Sequence, residues 1–310
     1  MEGADLISKV RMALNGVVRG KEEVIDLLLV GALSGGHILF EDVPGVGKST
    51  LARAFARVFA LDCGRVHCTP DLLPSDLLGL QILDPRTGEL RFQKGPVFSQ
   101  VFLADELNRA STRTQAALLE AMNEGLVTVD GNALPLPAPF LVLATQNPLE
   151  HFGTQPLPES QLDRFLLRLS LGYPGPEQEF QLLLDRRDRD PLSELAPLAS
   201  GADLLGFQRQ VQQVRVVESV MQYLLSIIQK TRALPGVRIG ASPRAGLGLL
   251  RASQARAWLD GRDWVAPDDI QFMAPHVLGH RVFFSRAGEL RPVQAPDWVR
   301  DVLRRTEVPV

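Results

Sequence analysis

The chain predicts an α/β fold: a parallel sheet flanked by helices around a glycine-bearing loop, followed by a small all-helical unit. Three features carry this expectation. A strand–glycine loop–helix sequence lies at 37–59, and apolar runs recur between helical segments at 101–104, 140–145 and 166–171. Then Tyr173-Pro174-Gly175-Pro176 interrupts both helix and strand, and helical periodicity dominates after it. This divide places one domain at residues 1–172 and a second at 173–310.

Composition sets the outer limits. At 310 residues, 45% hydrophobic and 22% charged, the chain has the material of one large or two ordinary globular domains. A net charge of -3 gives no general pull toward nucleic acid, and no Arg/Lys–aromatic stretch suggests a strand-binding groove. Cys63 and Cys68 are too few for a disulfide framework, and no Cys/His spacing matches a zinc site. The start, Met1-Glu2-Gly3-Ala4-Asp5, lacks the basic region of a signal peptide. The longest apolar span, Val24 to Leu33, contains Asp26 and is too short for a bilayer, so a cytoplasmic protein without a transmembrane segment is expected.

In chain order, Leu6, Val10 and Leu14, then Val24, Leu27, Leu28 and Leu33, fall at helical spacing. Val17-Val18-Arg19-Gly20 between them reads as a short extended link, either a plain connector or a segment beside the nucleotide strand. His37-Ile38-Leu39-Phe40 is a buried strand, and Leu51, Phe55, Val58 and Phe59 form the stripe of a helix beginning near Gly47. Residues 80–83 and 89–92, separated by a Pro/Gly turn, read as a hairpin inserted into the layout. The 101–104 strand is followed by a helix opening at Ser111-Thr112, with Gln115 placed for a capping box. A second hairpin turns at Asp130-Gly131. Strand 140–145 ends at Gln146-Asn147-Pro148, and 166–171 alternates like a last strand just after Arg164. Beyond the divide, 180–184 is helical and 186–203 reads as a loose connection. Residues 217–234 are helical, Ser242-Pro243 caps a helix running through Trp258, and another helix starts at Ala266-Pro267. Val237-Arg238-Ile239 is the one strand candidate in this half.

The chemistry concentrates at strand ends. Between the first strand and its helix runs Asp42-Val43-Pro44-Gly45-Val46-Gly47-Lys48-Ser49-Thr50. Backbone N–H groups and the positive end of a helix converge there, Lys48 can reach outer phosphates, and the Ser49 hydroxyl can ligate Mg²⁺. The full phosphate-loop pattern has Gly where this chain has Asp42, so on spacing alone a tight turn with a surface lysine is equally compatible. Asp105-Glu106 ends a buried strand, where ligands of open α/β sheets lie. Asp105 is then placed to hold Mg²⁺ through water, and Glu106 to orient or deprotonate an attacking water; a helix cap is the alternative. Asn147, at the next strand tip, can bond a γ-phosphate oxygen and that water, or it merely starts an Asn-Pro turn.

Taken together these stretches resemble the MoxR family of AAA+ ATPases over nearly the whole chain. The resemblance rests on Glu41–Thr50, Thr69-Pro70-Asp71-Leu72-Leu73-Pro74-Ser75-Asp76, Asp105-Glu106-Leu107-Asn108-Arg109-Ala110, Ala144–Pro148, Leu157–Phe165, Tyr173-Pro174 and Ser242-Pro243-Arg244-Ala245. It implies an AAA+ P-loop sheet with a helical lid, a Walker A loop with Pro44, Gly45, Val46, Gly47, Lys48, Ser49 and Thr50 on the nucleotide, and Walker B at Asp105 and Glu106. It further implies a first sensor at Asn147, an arginine finger at Arg164 reaching a neighbouring subunit, and a second sensor at Arg244. Ser49 and Asp105 are the implied metal residues, with ATP and Mg²⁺ as cofactors. The implied activity is ATP hydrolysis that remodels or matures protein partners, some containing von Willebrand factor A domains, by a homo-oligomeric and usually hexameric ring. The alternatives are a nucleotide-gated binding scaffold with negligible turnover, and a magnesium-chelatase-like or nucleic-acid motor.

Overall fold

The computed structural model describes residues 2–86, 88–129, 131–147, 155–188, 190–286, 289–291 and 295–309. Asp130 of the second predicted turn and Pro148 lie outside them. A five-stranded, wholly parallel sheet organises the first half. Its spatial order is Cys63–His67, Val101–Asp105, Leu141–Gln146, Ile38–Glu41, Leu167–Leu169. The inner strands are covered on both faces and read as continuous apolar runs, as buried parallel strands do. Val101 to Asp105 is buried at every position. Alternation sends Ile38 and Phe40 into one apolar layer with the helices Glu2–Val17, Glu22–Leu33 and Lys48–Val58, and Leu39, Phe102 and Val142 into the other with the helix Thr112–Glu124.

Register brings chemistry to one edge. His67 pairs with Asp105, and Glu41 with Gln146, so four strands end side by side. The edge strand Cys63–His67 was not evident in the sequence because its side chains alternate between exposed and half-buried and form no apolar run. Both hairpins form: Gly79–Leu83 with Leu90–Lys94, and Leu126–Val129 with Asn132–Pro135.

Three local expectations change. The first helix runs to Val17, so the extended link is reduced to a short turn at Val18–Gly20. Ser111 is the cap of the helix Thr112–Glu124, accepting from the Thr114 amide, while the Gln115 amide group instead donates to the carbonyls of Leu107, Ala110 and Gln155. The 186–203 connection contains the short helix Pro191–Glu194 and the start of Gly201–Val211, which is capped by Ser200.

The second half is built from the helices Pro176–Asp188, Gly201–Val211, Glu218–Arg232, Pro243–Leu259, Pro267–Leu278 and Ala295–Arg304. The strand candidate Val237–Ile239 pairs with Phe283–Arg286, which pairs in turn with Glu289–Arg291, adding a small antiparallel sheet to this helical unit. Pro243–Leu259 packs on Glu22–Leu33, and Pro267–Leu278 on the last strand, Leu167–Leu169. Among the described residues no helix is long and apolar enough to cross a membrane.

His37 joins the sheet to the helix Thr112–Glu124. Its Nδ1 accepts from the Val142 amide at 3.0 Å, which leaves the proton on Nε2 to donate to the Met122 carbonyl at 3.0 Å. Burial, aided by the Arg244 charge and opposed by the Met122 carbonyl, pushes its pKa from 6.5 down to about 4. The unfolded chain therefore takes the proton first. The neutral ring's contribution is complete above pH 6.5 and is lost as pH falls from there toward 4. The melting temperature is expected to drop across that interval, and His37→Gln to flatten the drop. An unchanged slope in the variant, measured by calorimetry, contradicts this account.

Candidate nucleotide-binding site

The loop after Ile38–Glu41 makes two turns that only glycine adopts without strain, Gly45 at φ 85° and Gly47 at φ 101°. No heavy atom lies within 4 Å of where either Cβ would stand, so the loop's backbone faces open space. The helix Lys48–Val58 starts there with no side-chain cap and no acidic residue in its first turn. Its first N–H groups are left for an anion, as the phosphate reading requires. They open on a cleft of about 330 Å³ that takes in Pro44, Gly45, Gly47, Lys48, Ser49 and Thr50 on one wall and Asp105, Glu106, Thr145 and Asn147 on the other. Val46 instead packs against the core.

Lys48 Nζ donates to the Asp42 and Val43 carbonyls at 3.0 and 2.9 Å, folded over the loop. Burial lowers its pKa, and the carboxylates of Asp42, Asp105 and Glu106 work against that shift. Asp42, the departure from the phosphate-loop pattern, has a structural explanation. It is not in the left-handed region, so glycine is not required, and its buried carboxylate accepts from the backbone N–H groups of Leu171 and Gly172. The loop is thereby tied to the chain leaving the last strand.

Across the cleft, Asp105 ends its strand facing Ser49. Its Oδ2 lies 3.5 Å from Ser49 Oγ and accepts from Arg65 Nε at 2.7 Å, and Oδ1 lies 3.5 Å from Thr145 Oγ1. These partners, not a helix start, account for the carboxylate. A serine hydroxyl beside a carboxylate is a hard-oxygen donor pair of the kind Mg²⁺ takes with phosphate and water, so the residues fit that ion.

Glu106 holds a left-handed backbone, at φ 56° and ψ 48°. A non-glycine residue held there costs on the order of 1–3 kcal/mol and needs support from its surroundings. The Thr145 hydroxyl accepts from its amide at 2.9 Å, Arg109 Nη1 donates to Oε2 at 2.9 Å, and His67 Nε2 stands 3.4 Å from the same oxygen. The backbone is thus bent to turn one carboxylate into the cleft, beside Asn147.

Arg65, His67 and Thr145 were not anticipated from the sequence. Arg65 and His67 alternate along the edge strand, and only its pairing with Val101–Asp105 reveals what they face. Arg109, unplaced from sequence, is the ion-pair partner of Glu106. Arg164 and Arg244 do not line this chain's cleft. Arg164 Nη1 donates to the Leu119 carbonyl at 3.2 Å and Arg244 Nη2 to Asn123 Oδ1 at 2.8 Å, one turn apart on the helix Thr112–Glu124.

A parallel sheet whose strand ends gather a glycine loop, a lysine–serine pair and an acidic pair defines a P-loop ATPase module of the AAA class. Comparison with known proteins agrees. Residues 37–167 match the model of the ATPase family associated with various cellular activities (AAA), and 229–302 the AAA lid domain. The chain is 45% identical to an uncharacterised Bacillus subtilis protein, YeaC, over 98% of this chain and 95% of that one. It is 39% identical to Chaperone MoxR1 of Mycobacterium tuberculosis over 89% of this chain and 76% of that one, and 35% identical to Protein MoxR of Paracoccus denitrificans over 90% and 89%. A crystal structure of a Cytophaga hutchinsonii protein provisionally assigned as an ATPase superposes with a TM-score of 0.89 at 35% identity, covering 100% of this chain and 96% of the other. The chain belongs to the MoxR family of AAA+ ATPases.

Asp42→Gly restores the strict loop pattern but removes the acceptor of the buried Leu171 amide and the half-buried Gly172 amide. It is expected to cost about 2 kcal/mol of stability while nucleotide affinity is retained. Denaturant unfolding alongside titration with a fluorescent nucleotide checks this, and equal stability of the two proteins contradicts it.

Proposed function

We propose that this chain is an Mg²⁺-dependent ATP hydrolase that remodels or matures partner proteins as a homo-oligomeric ring, six-membered in the simplest case. The observation that carries the reading is the split of the machinery. Lys48, Ser49, Asp105, Glu106 and Asn147 belong to one cleft, while Arg164 and Arg244 sit outside it on the helix Thr112–Glu124. A site with its base and cradle in place but its arginines turned away is suited to completion by a neighbouring copy.

In this reading the helix N–H groups and Lys48 hold the β- and γ-phosphates, and Thr50 lies at the same helix start. Mg²⁺ held near Ser49 and Asp105 would supply charge neutralisation at the phosphate oxygens. Glu106, its backbone pinned by Thr145 and its carboxylate by Arg109, orients the attacking water and accepts its proton. Asn147 aligns water and γ-phosphate. Arg164 and Arg244 of the adjoining copy meet the charge spread over the phosphoryl oxygens, where an arginine finger contributes roughly 10³–10⁵ in rate. The joint at 172/173, beside the Asp42 contacts, divides the sheet domain from a lid. Work on protein partners is supported by the name of the mycobacterial chaperone relative; von Willebrand factor A domains among those partners are implied by the family resemblance alone.

Steady-state phosphate release tests the proposal. Wild-type protein is expected to turn over ATP with Mg²⁺, Lys48→Ala to lose nucleotide binding, and Glu106→Gln to bind ATP yet hydrolyse it at least ~10²-fold more slowly. Full-rate release by Glu106→Gln, or no release by any assembled wild-type preparation, contradicts it; the latter outcome favours the nucleotide-gated scaffold.

A further inference from the structure

Arg281 follows the helix Pro267–Leu278, does not line the cleft, and has a side chain only 3% exposed. It makes five hydrogen bonds, the full complement of a guanidinium. Nε donates to Asp163 Oδ1 at 2.9 Å, Nη2 to the Asp163 and Phe165 carbonyls at 3.1 and 2.6 Å, and Nη1 to the Leu166 and Val277 carbonyls at 3.1 and 2.5 Å. Three of those carbonyls bracket Arg164 on both sides. The preceding residue adds a further grip: His280 Nε2 lies 2.8 Å from the Phe165 carbonyl.

The other side of Asp163 faces the start of another helix. Ser242 Oγ donates to the Asp163 carboxylate, 3.1 and 3.0 Å from its two oxygens, and also accepts from the Ala245 amide at 3.1 Å, capping the helix Pro243–Leu259. Arg164 follows Asp163 directly, and Arg244 lies two residues beyond Ser242. Both arginines therefore hang from one node, whose centre is a buried guanidinium supplied by the C-terminal helices. Burying such a charge is unfavourable unless it is paired and fully bonded, so the node has one well-satisfied arrangement. Burial, aided by the Arg244 charge and opposed by Asp163, pushes the Arg281 pKa down to about 10.

We propose that Arg281 is a positioning residue for the two arginines this chain delivers to a neighbouring copy. Through Asp163 and Ser242 it locks Arg164 and Arg244 into one unit, so that the C-terminal helices set the placement of both at once. The proposal rests on the reading that these arginines act on a neighbour's nucleotide. A misplacement of about 1 Å can cost roughly 10²-fold in rate, so a lock on geometry suffices for a large effect without any contact to substrate.

Subunit mixing tests it. Arg281→Met is expected to lower turnover by ~10²-fold while affinity for a fluorescent ATP analogue in the subunit's own cleft stays within about twofold. Mixed with Glu106→Gln subunits, which hydrolyse slowly in their own clefts but carry intact arginines, Arg281→Met subunits should regain turnover. Mixed with Arg164→Ala subunits they should not. Asp163→Asn is run in parallel as a milder break of the same node, with the same pattern of rescue expected, so that a folding failure of Arg281→Met does not decide the outcome. Wild-type turnover by Asp163→Asn, or turnover and nucleotide affinity falling together in both variants, overturns the proposal. So does failure of Glu106→Gln to rescue either variant while it rescues Arg164→Ala. If Arg164→Ala itself is not rescued, the neighbour reading falls, and this proposal with it.

Discussion

The structure turns on one electrostatic opposition: an uncapped helix start and a lysine on one wall of a cleft, facing two carboxylates on the other. Neither wall is comfortable alone. The helix Lys48–Val58 has no side chain on its first N–H groups, and Asp105 and Glu106 end a strand buried at every position. Each wall is met by groups of the chain itself. Lys48 folds onto loop carbonyls, Arg65 pairs with Asp105, and Arg109 and His67 with Glu106. In the proposed reading a metal–triphosphate complex would answer both walls together, with anionic oxygens at the amides and a cation near Asp105. The parallel sheet is what keeps the two walls facing, because Leu141–Gln146 pairs in register with Val101–Asp105 on one side and Ile38–Glu41 on the other.

Much of this was legible in the chain because it is local. Gly45, Gly47, Lys48 and Ser49 announce a loop and helix start by spacing, and Asp105-Glu106 stands out as charge at the end of an apolar run. What stayed hidden depends on partners far away in sequence. Asp42 looked like a flaw until its carboxylate was found on amides 129 and 130 residues later. Arg65 and His67 lie on an edge strand whose outer face is solvent, so no periodicity marks it. Arg281 gives no local sign either, since the carboxylate it answers is 118 residues earlier. The helix Gly201–Val211 was obscured by the charged and Pro-containing stretch before it.

Arg164 and Arg244 stand apart from the cleft. Both guanidiniums rest on the helix Thr112–Glu124, and both are anchored through Asp163 and Ser242 to the C-terminal helices. The second unit of the chain packs on the last strand and on the helix Glu22–Leu33, so its position bears on the sheet domain and on the arginines alike. In the proposed reading that link would let the nucleotide state in one copy be felt as movement in the next.

The central claim is that the cleft of one copy is completed by arginines of another. Turnover per subunit, measured over a dilution series with the oligomeric state read at each concentration, tests it most directly. The account predicts that the rate per chain falls steeply as assemblies give way to monomers while nucleotide still binds. A rate per chain that stays constant where only monomers remain would contradict it.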